Sequence, residues 1–182
     1  MIEFLLCRGA HRGRQARLFP VVLLATLLAG PAFATDRTVA VFDFELIDSS
    51  LDGQMLGENA GEQARLETMA PAIREAVEEL DGYTVVDTEA VREKARSHHL
   101  ESCGNCALSF AKEVGAEIAV IGSVQKVSNL ILNINAYAFD VETGQPIARG
   151  SADIRSNTEE SWQRGIDYLW DNVLKKQFEE AR

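Results

Sequence analysis

Positive charge is in short supply in this chain. Its 182 residues hold 18 Lys and Arg against 28 Asp and Glu, a formal net charge of -10. Phosphate recognition rests on clustered Lys and Arg, which argues against a nucleic-acid binder. Glycines at Rossmann or Walker spacing are missing, which argues against nucleotide use. Ser49, Ser50, Ser109 and Ser123 lack any Gly-x-Ser-x-Gly setting, so a hydrolase nucleophile has little support. Long hydrophobic runs are missing too. The apolar run Leu18 to Ala29 has 12 residues, whereas a spanning helix needs ~20. With 46% hydrophobic residues overall, the composition excludes wholesale disorder and a polytopic membrane protein alike.

What is present begins with an address. Arg8, Arg12, Arg14 and Arg17 precede that apolar run, and Ala32-Phe33-Ala34 follows it. This order predicts a general-secretory signal peptide over residues 1–34, cleaved after Ala34, and a single α/β domain over 35–182. No Arg-Arg pair indicates twin-arginine export, and no Cys near the cleavage site offers a lipid anchor. The expected location is the periplasm or beyond, without a permanent membrane anchor. Cleavage would leave 14 basic and 27 acidic residues, a net of -13, which disfavours adhesion to anionic membranes. Cys103 and Cys106 would remain as an even pair in an oxidising compartment, where a disulfide is the default.

Periodicity supplies the architecture. Thr38 to Leu46 reads as a strand that starts apolar on both faces, and Ile47 to Gly57 as loop. Leu66, Met69, Ala70, Ile73, Val77 and Leu80 recur at helical spacing, with Pro71 predicting a kink or a fresh start. Tyr83 to Asp87 is a short strand, Thr88 and Glu89 open a helix towards His98, and Ala107 to Val114 is another helix closed by Gly115. Ile118 to Val127 is a strand that starts buried and emerges polar. In the next, Leu130, Leu132, Ile134, Ala136 and Ala138 share one face, and Ile131, Asn133, Asn135, Tyr137 and Phe139 the other. The strand after Pro146 sorts Ala148, Gly150, Ala152 and Ile154 from Arg149, Ser151, Asp153 and Arg155. A last helix, capped within Ser156 to Thr158, buries Trp162, Ile166, Leu169 and Val173. The predicted order is β-α-β-α-α-β-β-β-α. Its fold class is α/β (α+β), a two-layer mixed sheet with helices on one face.

Several of these segments carry a resemblance. Ala40-Val41-Phe42-Asp43-Phe44, Tyr83-Thr84-Val85-Val86-Asp87, Cys106-Ala107, Val114-Gly115-Ala116-Glu117, Ile121-Gly122-Ser123-Val124 and Val141-Glu142-Thr143-Gly144 resemble a broad bacterial group of secreted domains. That group includes the TolB amino-terminal domain, the periplasmic part of CsgG and domain-of-unknown-function families. The resemblance covers residues 38–176 and implies a small envelope domain that contacts other proteins and has no catalytic residues. No β-propeller, pore-forming segment or lipid-anchor Cys accompanies it, so pore formation and Tol-system membership do not carry over.

Few residues are candidates for chemistry. Cys103-x-x-Cys106 at a helix start fits a structural disulfide, or a redox dithiol with Cys103 attacking. Glu101-Ser102 precedes it where a thioredoxin-type site has an aromatic residue after a strand. His98 and His99 extend the set to weak metal candidates, although adjacent helical side chains diverge by about 100°. A c-type haem is rejected because Ala107 and Leu108 follow Cys106. Asp43, Glu45, Asp48 and Asp52 read as a solvated acidic rim at a strand end. Trp162, Tyr168 and Trp170 read as core and rim packing. Asn133, Asn135, Tyr137, Arg149 and Arg155 share a sheet face suited to a protein partner. The expectation is an exported, non-catalytic envelope domain that takes no cofactor and meets envelope proteins. A thiol–disulfide carrier is the first alternative and a metal carrier the second.

Overall fold

Val39 to Phe42 and Ile118 to Ile121 are apolar at every position, so both segments need cover on two faces and become interior strands. The computed structural model describes residues 36–182; the expected signal segment and its cleavage site lie outside them. The strands are β1 Arg37–Val41, β2 Glu45–Asp48, β3 Tyr83–Val85, β4 Ile118–Ser128, β5 Ile131–Asp140 and β6 Pro146–Ile154. They form a six-stranded sheet in the order β3-β1-β4-β5-β6, with β2 also on β4. β1 runs parallel to β3 and β4, β2 parallel to β4, and β4 to β6 make the antiparallel meander expected from the sequence. The fold is the expected mixed α/β class.

Segment 47–57 is not the expected loop. β2 pairs Glu45 to Asp48 with Ser123 to Lys126, and α1 (Leu51–Leu56) follows, capped by the Ser50 side chain accepting from Gly53 N–H. Helix α2 (Ala60–Glu78) starts at Asn59, whose side chain accepts from the N–H groups of Gly61 and Glu62. It runs through Pro71 instead of restarting there, because Pro71 is exposed while Met69, Ala70, Ile73 and Val77 anchor the helix to the core.

The helices do not keep to one face. α2, α5 (Glu159–Leu169), the π-helical turn Trp170–Leu174 and α6 (Lys175–Glu180) cover Val39, Val41, Val120, Ile134 and Ile154. Helices α3 (Arg92–Arg96) and α4 (Cys106–Glu113) cover Ala40, Phe42, Ala119 and Ile121 from the other side. The physical cause is the two-faced apolar stretch of β1 and β4. Its second cover is thin because it is made of short helices and small residues, Ala95, Ala107 and Ala111. The second cover spans β1, the first half of β4 and the adjoining Tyr137 and Phe139 of β5, and leaves the rest of the meander open on that side.

On the thick side Gly165 lets α5 approach closely. A Cβ there would lie 2.6 Å from Ile154 Cγ2 and 2.8 Å from Ile134 Cδ1. Trp162 and Trp170 are buried, while Tyr168, expected at the rim, is 57% exposed. At the edge strand β6, the side chain of Gln177 meets the backbone of Arg149. Its Oε1 accepts from the N–H at 3.2 Å and its Nε2 donates to the carbonyl at 3.0 Å.

Candidate functional site

Where β1 ends, α2 and α3 diverge from opposite faces and leave a cleft of about 670 Å³. Strand ends of this kind are where open α/β sheets place ligands. Phe42, Phe44 and Leu46 contribute apolar surface, and Asp43, Arg92 and Arg96 contribute charge. Three guanidinium groups meet the Asp43 carboxylate: Arg92 Nε at 3.0 Å, Arg96 Nη2 at 2.9 Å and Arg74 Nη2 at 3.3 Å. Glu45 accepts from the Leu100 N–H and pairs with His99 Nδ1 at 3.1 Å. Asp48 binds Lys126 Nζ at 2.9 Å, and Asp52 accepts from Asn129 Nδ2 at 2.9 Å. Asp43, Glu45 and Asp48 are therefore ties between elements, a correction to the solvated rim read from their spacing, whereas Asp52 stays exposed while it holds Asn129.

Burial alone pushes the Asp43 carboxyl up, but hydrogen bonds and charge from Arg92 and Arg96 outweigh it and hold it below the ordinary range. At Asp48 burial is likewise outweighed, by hydrogen bonds from Ser50 and Lys126. Asp140 is lowered by bonds from the Thr143 N–H and hydroxyl, aided by Arg37. A lowered folded value means stability that is complete above the unfolded carboxylate range, ~3.9, and lost as pH falls below it through the folded values. Urea midpoints are thus expected to drop between pH 5 and pH 2, about the span over which such carboxylates protonate, and the drop should be shallower in Asp43→Asn.

Cys103 and Cys106 are joined as a disulfide with Cα atoms 5.8 Å apart. The bond links the loop to the start of α4 and packs half-buried against the thin-side core. The two histidines face different partners. His98 Nδ1 lies 2.7 Å from the Lys94 carbonyl with its ring edge-on to Phe110, whereas His99 turns to Glu45. His98, His99, Cys103 and Cys106 are not brought to one point, and among the described residues no group of three or more metal-ligating side chains is assembled. Replacing both cysteines with serine should lower stability by about 2 kcal/mol, the chain-entropy worth of so short a loop, measurable by urea titration.

The predicted partner face is largely assembled. Tyr137 lies opposite Arg149, Asn135 opposite Ser151 and Asn133 opposite Asp153. Asn133 Nδ2 donates to Asp153 Oδ1 at 2.7 Å and to Ser151 Oγ at 3.2 Å. Arg149 and Arg155 are exposed, and Arg155 follows the last residue of β6. Asn135 departs from the expected outward position: it is only 8% exposed, between Asn133 and Tyr137 on the same face. Its Nδ2 and the neighbouring Ser123 Oγ are buried without hydrogen-bond partners. Tyr137 stacks near Phe139 at 6.4 Å. Burial raises its hydroxyl above the ordinary value, Glu101 adds to the rise, and Arg149 opposes it.

Sequence reading missed a buried polar network on the opposite face. Lys126 and Glu62 are 3% and 2% exposed, with Nζ to Oε1 at 2.7 Å. Asn157 donates to Glu62 Oε1 at 2.6 Å and accepts from Trp162 Nε1 at 2.9 Å. The signal existed: Lys126 shares the face of Val124, and Glu62 the stripe of Leu66, Met69 and Ile73. The expectation that the strand emerges polar had placed Lys126 in solvent.

An open mixed sheet, with α2, α5 and α6 on one face and α3 and α4 on part of the other, defines a small α/β domain. The chain belongs to the family described as "Protein of unknown function (DUF2380)", whose DUF3280 model matches residues 37–174. Comparison with curated proteins gives no match. Among solved structures it is similar to the LpoB C-terminal domain from Salmonella enterica, at 17% identity over 69% of this chain and 87% of that one, TM-score 0.47. It is also similar to the PelC dodecamer from Paraburkholderia phytofirmans, at 15% over 80% and 95%, TM-score 0.42. TolB from Acinetobacter baumannii follows at 10% over 74% and 28%, TM-score 0.38. Likenesses at this level carry no functional assignment. No helix among the described residues is long and apolar enough to cross a membrane.

Proposed function

We propose that this chain is an exported domain of the bacterial envelope that works through contacts with other proteins and not by catalysis. The observation that carries the reading is the bare half of the sheet. Helices α3 and α4 cover the near half of β4 and stop, so Arg149 and Arg155 are exposed on the meander and Asn133 and Tyr137 half-exposed, Tyr137 at the margin of the second core. Arginine and tyrosine are the side chains that most often anchor protein interfaces. Here Arg149 and Arg155, with the exposed Asp153 between them, put cationic side chains on an acidic molecule, which favours acidic groups on the partner at those points. The basic, apolar and small-residue order of residues 1–34 supports export by the general secretory route into the periplasm, with the disulfide formed there.

The test is site-specific photocrosslinking in growing cells. A crosslinker at Arg149 should yield a discrete protein adduct, and one at the exposed Glu78 of α2 should not. No adduct from Arg149, or the same adducts from both sites, overturns the meander face as the contact surface.

A further inference from the structure

The large apolar side chains left exposed among the described residues, Tyr168 excepted, gather at one end of the molecule. Leu51, Met55 and Leu56 on α1 are 68%, 74% and 82% exposed, and Leu130 and Ile131 at the β4–β5 turn are 69% and 59% exposed. Ile47 of β2, beside Gln125 in the sheet, is 41% exposed. Helix α1 has six residues and buries none of them. A helix so short has no stability of its own, so what fixes it is polar. Ser50 caps it, Asp52 holds Asn129 of the turn at 2.9 Å, and Ser49 donates to the Lys126 carbonyl through its N–H at 2.9 Å and its hydroxyl at 3.1 Å. Beneath lies the buried Lys126–Asp48 pair. The apolar side chains are thus presented in a set arrangement and turned to water, the mark of a contact surface.

Charge says what meets it. From Thr38 to Ala64, the stretch that carries α1, the chain has no Lys or Arg, and Lys126 is buried; the exposed Arg155 stands at the other side of the patch, next to Ile131 in the register of β5 with β6. Asp52 and Glu58 border the patch as exposed carboxylates. A second copy packed on a two-fold axis would set these carboxylates against their equivalents, and an anionic lipid surface would repel them. We propose that the end formed by α1 and the β4–β5 turn is the docking site for a cationic amphipathic segment of another protein, its apolar side chains seated on Leu51 and Met55 and its Lys or Arg beside Asp52 and Glu58. The site rests on the reading that the chain works through protein contacts; its Ile131 edge adjoins Asn133 and Arg155 of the meander face, while its α1 side, with Asp52 and Glu58, carries the opposite charge.

The probe is a labelled amphipathic Leu/Lys helix of about 18 residues, five turns, titrated with the purified chain and followed by fluorescence anisotropy. Saturable binding is expected, weakened at least about tenfold in Leu51→Ser/Met55→Ser, which keeps the net charge, and unchanged in Tyr168→Ser. Both variants alter exposed side chains only, and their melting points should match the parent. Equal binding by all three proteins means attraction by net charge alone and overturns the site. So does variant-sensitive binding to phosphatidylcholine vesicles without peptide binding, or a dimer in sedimentation that the double variant dissolves. An Arg149 crosslink with patch-insensitive peptide binding removes this site and leaves the protein-contact reading standing. Patch-sensitive peptide binding without an Arg149 crosslink supports this site and removes the other.

Discussion

Replacing Lys126 with alanine is expected to destabilise the fold by about 3–5 kcal/mol, the cost of leaving a buried charge without its counter-ion. The ammonium group is held by Glu62 at 2.7 Å and Asp48 at 2.9 Å. Burial alone would lower its pKa, but those hydrogen bonds and charges raise it, so Lys126 stays a cation. Removing it strands the Glu62 carboxylate, whose remaining partner, Asn157, is neutral. The paired change Lys126→Met with Glu62→Met removes both charges, and should recover most of the loss because apolar replacements of buried pairs are often neutral. Asp48 keeps the Ser50 N–H and its access to water. Urea titrations of the single and paired variants at pH 7 decide the matter. A paired variant as weak as the single one would mean that the pair holds the fold by more than charge balance.

Trp162→Ala should cost a similar about 3–5 kcal/mol, for a different reason. The indole is 1% exposed and belongs to the larger core cluster between α5 and the sheet. Removing it leaves a large void, takes one donor from Asn157 Oδ1, which keeps Arg65 Nη2, and strips the ring from beside Arg65, whose guanidinium lies 5.5 Å from its centre. Trp162→Phe keeps most of the packing and loses the bond from Nε1–H, so about 1 kcal/mol is expected. The same titrations separate the two. Lys126 and Trp162 are joined through Glu62 and Asn157, so their losses should not add.

The meander was legible because one of its faces is solvated. Leu132, Ile134, Ala136 and Ala138 alternate with polar residues, and period two alone assigns their side. The stripe of Trp162, Ile166 and Leu169 announced the last helix in the same way. Legibility failed where the pattern was uniform or local. Val39 to Phe42 marks a strand with two buried faces, yet an even apolar run does not say which helices supply the second cover. Small alanines in α3 and α4 do that work without an amphipathic signature. The residues Asp48-Ser49-Ser50 and Asp52-Gly53 are turn chemistry and hid a strand end and a helix, because α1 buries no side chain. Among the site residues, alternation placed Tyr137 and Arg149 side by side. It could not foresee that Asn135 would be buried, nor that Asp43 would gather arginines from two helices distant in sequence.

The amide of Gln177 occupies the position that the peptide group of a seventh strand would take beside Arg149. A chain arriving to lengthen the sheet must first evict it and give up two hydrogen bonds before forming any of its own. A molecule that ends in so long an antiparallel strand would otherwise template its own stacking at high concentration. One side chain from the final helix acts as the stop at the end of the row, so that contacts are left to side chains and not to the bare backbone.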